Sequence, residues 1–450
     1  MIKRKSHIFF IGIGGIGMSA LARYHLMIGN TVAGYDRTSS AITEELIAHG
    51  AKVTYSSIVD PEIVSDRVIY TPAVPKDHPW MLHFLQRQVP MLKRSEALSE
   101  IADLYQCIAV AGTHGKTTTS SILAHILNQT NMGVNAFVGG VMTNNNSNFI
   151  WNKETTFMVA EADEYDRSLL RLNPQFAILT NAESDHLDVY ENEAALLDTF
   201  SSFFGKLPSN GIAIANESVP QKVLGNVQAK IFRYGWSEDS DYQAIDVSVV
   251  NGKYHFDLLH NQGLIGRFST SLPGRHNVLN ATAALAMGHQ LGVSVESLNK
   301  SLNTYLGVKR RFELIVQNDD CIYIDDYAHH PSEIHVLLQA LREMYPDQKI
   351  LGVFQPHLYS RTRDFMDEFA QELKALDSLI LLDIYPAREE PIAGINSKTL
   401  LEKINLENKK VVHSDQLIDE ILKAEFDVLV TIGAGDIDQW VQPIKKALTS

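Results

Sequence analysis

AVAGTHGKTTTSSILAHIL, Ala109 to Leu127, is the stretch on which the reading of this chain turns. An apolar run predicts a buried strand over Cys107–Ala111, and the spacing after it predicts a helix over Lys116–Gln129. Gly112 and Gly115 lie between them, where a backbone must turn its N–H groups toward an anion. Lys116 supplies a positive charge, Thr117 a hydroxyl for a hard cation such as Mg²⁺, and Thr118 a further donor. Thr113 and His114 complete the turn. The front is shorter than in the common phosphate loop, because Val110 stands where that loop has its first glycine. A phosphate site needs the strand, the glycines, the lysine and the helix N-terminus, not one loop length. A plain strand–helix turn with a surface lysine is the competing reading. The concentration of left-handed-tolerant and N-capping residues argues against it.

Two later strands lead to the same chemistry. MVAEADEYD puts Glu161 at the carboxyl end of an apolar run, where a Mg²⁺-binding carboxylate is expected, with Asp163 and Glu164 beyond it. A lone acid in such a run is costly unless paired or metal-bound. Asp163–Asp166 also fit a solvated acidic surface. ILTNAESDHLDVY ends a second strand with Asn181, Asp185 and His186. Nearer the N-terminus, GIGGIG at 12–17 follows a strand predicted over His7–Ile13 and precedes a helix over Met18–Ile28, and Asp36 ends the next strand. That arrangement is a dinucleotide fingerprint, so an oxidoreductase is a rival reading; any ligand with a diphosphate and a ribose, such as a UDP-sugar, fits the same geometry. RVIYTPAV ends a further strand at Thr71 and Pro72.

Alternating strand-like and helix-like segments place the chain in the α/β class, with three domains. The expected boundaries are 1–105, an N-terminal Rossmann-like domain; 106–308, a central P-loop-type domain; and 309–450, a C-terminal Rossmann-like, doubly wound sheet. Short alternating strands between about 212 and 273 predict a small antiparallel subsheet in the central domain. A net charge of −14 argues against non-specific nucleic-acid binding. Cys107 and Cys321 sit in apolar runs and read as buried thiols in a reducing compartment. With no signal peptide and no membrane-length apolar run, the sequence predicts a cytoplasmic protein that is a monomer or a weak homodimer.

Seven segments carry a resemblance along nearly the whole chain: GIGGIGM at 12–18, AGTHGKTTT at 111–119, EADEYD at 161–166, DHLD at 185–188, GRHNVLNA at 274–281, DDYAHHP at 325–331 and QPHLYSRT at 355–362. In this order they resemble the Mur ligases, and GIGGIGM is similar to the loop of the alanine-adding members. The resemblance implies an ATP-dependent ligase of peptidoglycan precursor synthesis, joining L-alanine to the carboxylate of UDP-N-acetylmuramate through an acyl phosphate. It implies that Gly112, Thr113, His114, Gly115, Lys116, Thr117 and Thr118 wrap the ATP phosphates, and that Thr117, Glu161 and His186 hold two Mg²⁺ ions. His276, Asn277 and Asn280 would meet the adenine, and Asp326 would lie on the ATP side of the third domain. Gly14, Gly15, Ile16, Gly17, Asp36, Thr71 and Pro72 would receive the UDP part. Tyr327, His329, His357 and Arg361 would meet the incoming amino acid and the reacting groups. Lys116, Glu161, His186 and Arg361 are the expected catalytic residues. Two departures stand out. Leu358 occupies a position where some relatives carry a second arginine, leaving contact to Arg361 alone or shared with Arg363. Where several relatives carry a carbamylated lysine, this chain has Ser201–Ser202, so no carbamate is expected; the nearest lysine is Lys206.

Overall fold

The computed structural model describes residues 5–182, 193–250, 252–387 and 389–449. It is an α/β structure with three sheets. The first has five parallel strands: β1 (His7–Ile11), β2 (Thr31–Tyr35), β3 (Lys52–Thr54), β4 (Arg67–Tyr70) and β5 (Met91–Lys93), in the order β3-β2-β1-β4-β5. β1 reads HIFFI because both faces of a central parallel strand are covered; Ile8 to Ile11 are all buried. The order reverses beside β1, so the glycine loop leaving β1 opens at the switch point where doubly wound sheets bind ligands.

The second sheet has ten strands. In chain order they are β6 (Gln106–Ala111), β7 (Asn135–Met142), β8 (Ser147–Ile150), β9 (Phe157–Glu161), β10 (Phe176–Leu179), β11 (Ile212–Asn216), β12 (Lys230–Gly235), β13 (Tyr242–Val250), β14 (Lys253–His260) and β15 (Gly263–Thr270). Their spatial order is β15-β14-β13-β12-β11-β10-β6-β9-β7-β8. β6 is flanked by β9 and β10, both parallel to it, so the GKT turn, Glu161 and Asn181 leave neighbouring carboxyl ends. The expected antiparallel subsheet is smaller than the sequence suggests. β11 and β12 run parallel to β10 and belong to the main sheet, and only β13–β15, joined by two-residue connections, form the antiparallel meander, which extends that sheet.

The third sheet comprises β16 (Glu313–Gln317), β17 (Ile322–Asp326), β18 (Ile350–Phe354), β19 (Ser378–Leu381), β20 (Asn408–Val411) and β21 (Val428–Ile432), in the order β16-β17-β21-β18-β19-β20. All its pairs are parallel except β16–β17. After β18 the chain forms two helices, Tyr359–Asp364 and Met366–Leu373, rather than one, because Phe365 leaves helical geometry at φ −118°, ψ 26°.

The described residues fall into two compact units, one within Met1–Val247, Phe256–Ser269 and Leu279–Tyr305, the other within Ser248–His255, Thr270–Val278 and Leu306–Ser450. In the first unit a buried polar junction joins the first two sheets. Arg23, on the helix Ile16–Met27, donates from its Nη1 to Asn148 Oδ1 at 2.6 Å and pairs with Glu45 at 2.7 Å. Asn148 Nδ2, on β8, donates back to the carbonyl of Ile16 in the glycine loop. Each buried group is satisfied, as a polar contact inside an apolar interface requires. Both cysteines are buried free thiols, and burial pushes the Cys107 thiol up to about 12.

Candidate active site

The turn after β6 is shaped by two left-handed glycines, Gly112 at φ 130° and Gly115 at φ 82°. Neither position has room for a side chain. A Cβ on Gly112 would lie 2.1 Å from Thr180 Oγ1, and one on Gly115 2.5 Å from Asn280 Oδ1. Asn181 Oδ1 accepts from His114 N–H at 2.9 Å, and Thr180 donates to the His114 carbonyl. The turn is thus held from β10 and from Asn280. Gly115 caps the helix Lys116–Asn128 without a side chain, so its first N–H groups are left for a ligand.

Lys116 folds back over this turn. Its ammonium donates to the Gly112 carbonyl at 2.7 Å and the Thr113 carbonyl at 3.2 Å, and to both oxygens of Glu164 at 2.7 and 2.8 Å. The Glu164 side chain is fully buried and that of Lys116 is 15% exposed. Burial pushes the Glu164 carboxyl up, and the Lys116 ammonium opposes this. Beside it, Thr117 Oγ1 donates to Glu161 Oε2 at 3.1 Å; Glu161 Oε1 accepts from Ser120 Oγ at 3.1 Å and from Gly139 N–H at 2.6 Å. A hydroxyl and a carboxylate side by side at a helix N-terminus suit Mg²⁺, which binds through one or two protein oxygens plus substrate phosphates. Among the described residues no group of three or more His, Cys, Asp and Glu side chains gathers as an all-protein cage. His186 lies outside the described residues.

The first half of the glycine loop of 12–17 is pinned by hydrogen bonds. Gly12 and Ile13 donate to the Tyr35 carbonyl at 2.8 and 3.0 Å, and Gly14 N–H to Asp36 Oδ2 at 2.7 Å. Asp36 Oδ1 accepts from Arg37 N–H. Asp36 therefore clamps the loop as well as lying beside it. Thr71 packs on Gly12, where a Cβ would come within 2.5 Å of its methyl; Pro72 is exposed beyond it. Gly15 caps the helix Ile16–Met27 with no side-chain partner, leaving a second set of free helix N–H groups.

Asn280 belongs to the first unit and backs the ATP-loop turn; its Oδ1 accepts from Thr119 Oγ1 at 3.3 Å. His276 and Asn277 belong to the second unit. Asn277 donates to the Pro273 carbonyl at 2.7 Å, and His276 beside it is exposed.

In the second unit Tyr327, His329, His357 and Arg361 come together. The Tyr327 and His329 rings are 5.2 Å apart, those of His329 and His357 6.0 Å, and Arg361 Nη1 is 3.4 Å from His357 Nδ1. Burial first, then the charges of Arg361 and His329, lower His357 to about 4, so its ring is neutral near pH 7. Leu358 adopts φ 71°, an uncommon geometry for a branched residue, at the start of the helix carrying Arg361. Arg363 is exposed and paired with Asp364. Asp326 is differently engaged: its two oxygens accept from Ala328 and Phe312 N–H at 2.7 and 2.6 Å, and burial raises it to about 6. Lys206 donates to the carbonyls of Leu170 and Leu172.

Sequence reasoning missed Gly139, Ser120 and Arg310. Arg310, at φ 61°, reaches Asp325 at 3.2 Å and lies 5.1 Å from the Tyr327 ring centre. The arginine pair in VKRRFE was the available signal.

Three sequence profiles match in order: the Mur ligase family catalytic domain over residues 7–106, the Mur ligase middle domain over 110–288, and the Mur ligase glutamate ligase domain over 310–435. The chain belongs to the Mur ligase family. It is 46% identical over 447 residues to a UDP-N-acetylmuramate–L-alanine ligase of Flavobacterium psychrophilum, covering 98% of both chains. It is 45% identical to the enzyme of that name from Cytophaga hutchinsonii, covering 97% of this chain and 96% of the other. Among solved structures it matches the UDP-N-acetylmuramate–alanine ligase MurC of Thermotoga maritima, with a TM-score of 0.84 at 26% identity over 99% of each chain. No helix among the described residues is long and apolar enough to cross a membrane.

Proposed function

We propose that this chain is the ATP-dependent ligase that joins L-alanine to the carboxylate of UDP-N-acetylmuramate, giving UDP-N-acetylmuramoyl-L-alanine, ADP and phosphate. The observation that carries the reading is the pairing, in one compact unit, of a lysine-bearing phosphate turn with a second open helix N-terminus behind a glycine loop. The first suits ATP and the second the diphosphate of a sugar nucleotide. The names of the full-length relatives support the substrates.

Joining two anions is the difficult step, because a carboxylate must approach the γ-phosphate of ATP. Lys116 and the N–H groups at the start of its helix offset the charge that accumulates on the transferring phosphoryl group. Bound Mg²⁺, two ions in this reading, would be held by Thr117, Glu161 and His186 and would neutralise phosphate oxygens. The carboxylate becomes an acyl phosphate, the amine attacks its carbonyl carbon, and phosphate leaves. The proton of the attacking amine would pass to a histidine near the reacting groups, His186 and His329 being the candidates, and Arg361 is suited to hold the amino-acid carboxylate. Asp326 and His276–Asn277 would border the nucleotide. The boundaries 1–105, 106–308 and 309–450 would then divide UDP-sugar, ATP and amino-acid binding. We place the enzyme in the cytoplasm, where its nucleotide substrates are made, as a monomer or weak homodimer.

Phosphate release measured with ATP, UDP-N-acetylmuramate and a panel of amino acids tests the reading. Release should need both acceptor and amino acid and be fastest with L-alanine. Release independent of the sugar nucleotide would refute it.

A further inference from the structure

Arg94 is the first residue after β5 and opens the helix Arg94–Ala102. The acids of that helix are engaged elsewhere: Glu96 pairs with Arg171 at 2.9 Å and Glu100 with Arg67 at 2.5 Å. Among the described residues no acceptor takes a hydrogen bond or ion pair from Arg94 itself. Its side chain is half-buried and lies against the glycine loop: a Cβ on Gly17 would stand 3.0 Å from both its Cδ and its Nη1. Beyond Gly17 it lines a cleft with Ser95, Leu98, Glu161, Asp163 and Ser168. Arg94 is the one cation of that lining, and Glu161 is the carboxylate beside Thr117.

A guanidinium with free donors, held between a diphosphate-binding loop and a phosphoryl-transfer site, calls for an anion. Its planar fork matches a carboxylate, which it can hold by two parallel hydrogen bonds. We propose that Arg94 is a substrate-binding residue that receives the reacting carboxylate of the sugar nucleotide and holds it facing the phosphate turn. The inference rests on the function proposed above. Glu161 and Asp163 would repel a carboxylate brought to the mouth of this narrow cleft, and Arg94, on the side of the glycine loop, would offset that repulsion. A side chain at Gly17 would crowd Arg94 and oblige it to shift by a few tenths of an ångström.

The test uses the full-length protein and two sugar nucleotides, UDP-N-acetylmuramate and UDP-N-acetylglucosamine. They share uridine, ribose and diphosphate, and only the first carries the carboxylate. Arg94→Ala should weaken binding of UDP-N-acetylmuramate at least tenfold by calorimetry and lower kcat, while binding of UDP-N-acetylglucosamine stays within twofold. Arg94→Lys should recover part of the loss, and Gly17→Ala should reproduce it in milder form. Retained UDP-N-acetylglucosamine binding also shows that the variant is folded. Equal losses for both ligands would assign Arg94 to the diphosphate and overturn the proposal, as would no loss for either. A wild-type protein with no phosphate release on UDP-N-acetylmuramate would instead refute the function on which the inference rests.

Discussion

Lys116→Met tests the phosphate turn and its buried partner together. In the wild type the ammonium of Lys116 meets both oxygens of a fully buried Glu164 at 2.7 and 2.8 Å. Removing one member of a buried pair leaves the other charge uncompensated, at a cost of about 3–5 kcal/mol. For a domain of this size that lowers Tm by roughly 6–20 °C. Catalysis should fall separately by about 10²–10³-fold, the usual loss for a donor aimed at developing charge. The destabilisation has a predictable pH sign. Burial already raises Glu164 above its ordinary value, and without Lys116 it rises further. The folded variant therefore takes up a proton as pH falls, so the penalty is full at pH 8 and shrinks toward pH 5. Lys116→Met/Glu164→Gln should regain most of the lost stability at pH 8 and none of the activity. Thermal unfolding at the two pH values, alongside phosphate release, separates the effects. A single variant as stable as wild type at pH 8, or a double variant no more stable than the single, would refute the reasoning.

Three further outcomes follow from the geometry. A Cβ on Gly139 would lie 2.6 Å from Glu161 Oε2, so Gly139→Ala should displace that carboxylate and raise the Mg²⁺ concentration for half-maximal activity several-fold in a Mg²⁺ titration. Asp36→Ala removes an acceptor from Gly14 N–H; a charged hydrogen bond of about 1.5–3 kcal/mol predicts a rise in KM for the sugar nucleotide of about tenfold or more, with KM for ATP unchanged. His357 is held neutral, with its pKa lowered from 6.5 to about 4 by burial first and then by the charges of Arg361 and His329, so its contribution to stability is present above pH 6.5 and lost as pH falls toward 4. His357→Gln should make the acid limb of the stability–pH curve shallower, and an unchanged slope in denaturant titrations would contradict that assignment.

Much of the phosphate turn is legible in the sequence because its parts are local. Strand, glycines, lysine and helix lie within about twenty residues, and each residue type has one conformational reason to be there. Glu161 is legible for a related reason, since an acid ending an apolar strand needs a partner. The partners themselves are not legible. Glu164 reaches Lys116 through a turn that the string EADEYD does not specify, and it reads equally well as a solvated acid. Gly139 comes from β7, and its need to be glycine appears only when Glu161 is in place. Arg94 looks like any residue of a charged helix until its neighbours are found paired and Gly17 is found beneath it. Asp36 shows the opposite case. Its position at the end of β2 is readable, but its bond to Gly14 depends on how the loop closes. The extent of the meander at β13–β15 is not legible, because short strands such as IAIAN and KIFRYG look alike whether they run parallel in a main sheet or antiparallel beside it.

The central claim is that the carboxylate of the sugar nucleotide attacks the terminal phosphoryl group held over Lys116. UDP-N-acetylmuramate labelled with ¹⁸O in its carboxylate, turned over with ATP and L-alanine, tests this by mass analysis of the products. The account predicts one labelled oxygen in the released inorganic phosphate and the other in the new amide. Label retained wholly outside the phosphate, or carried into AMP, would contradict it.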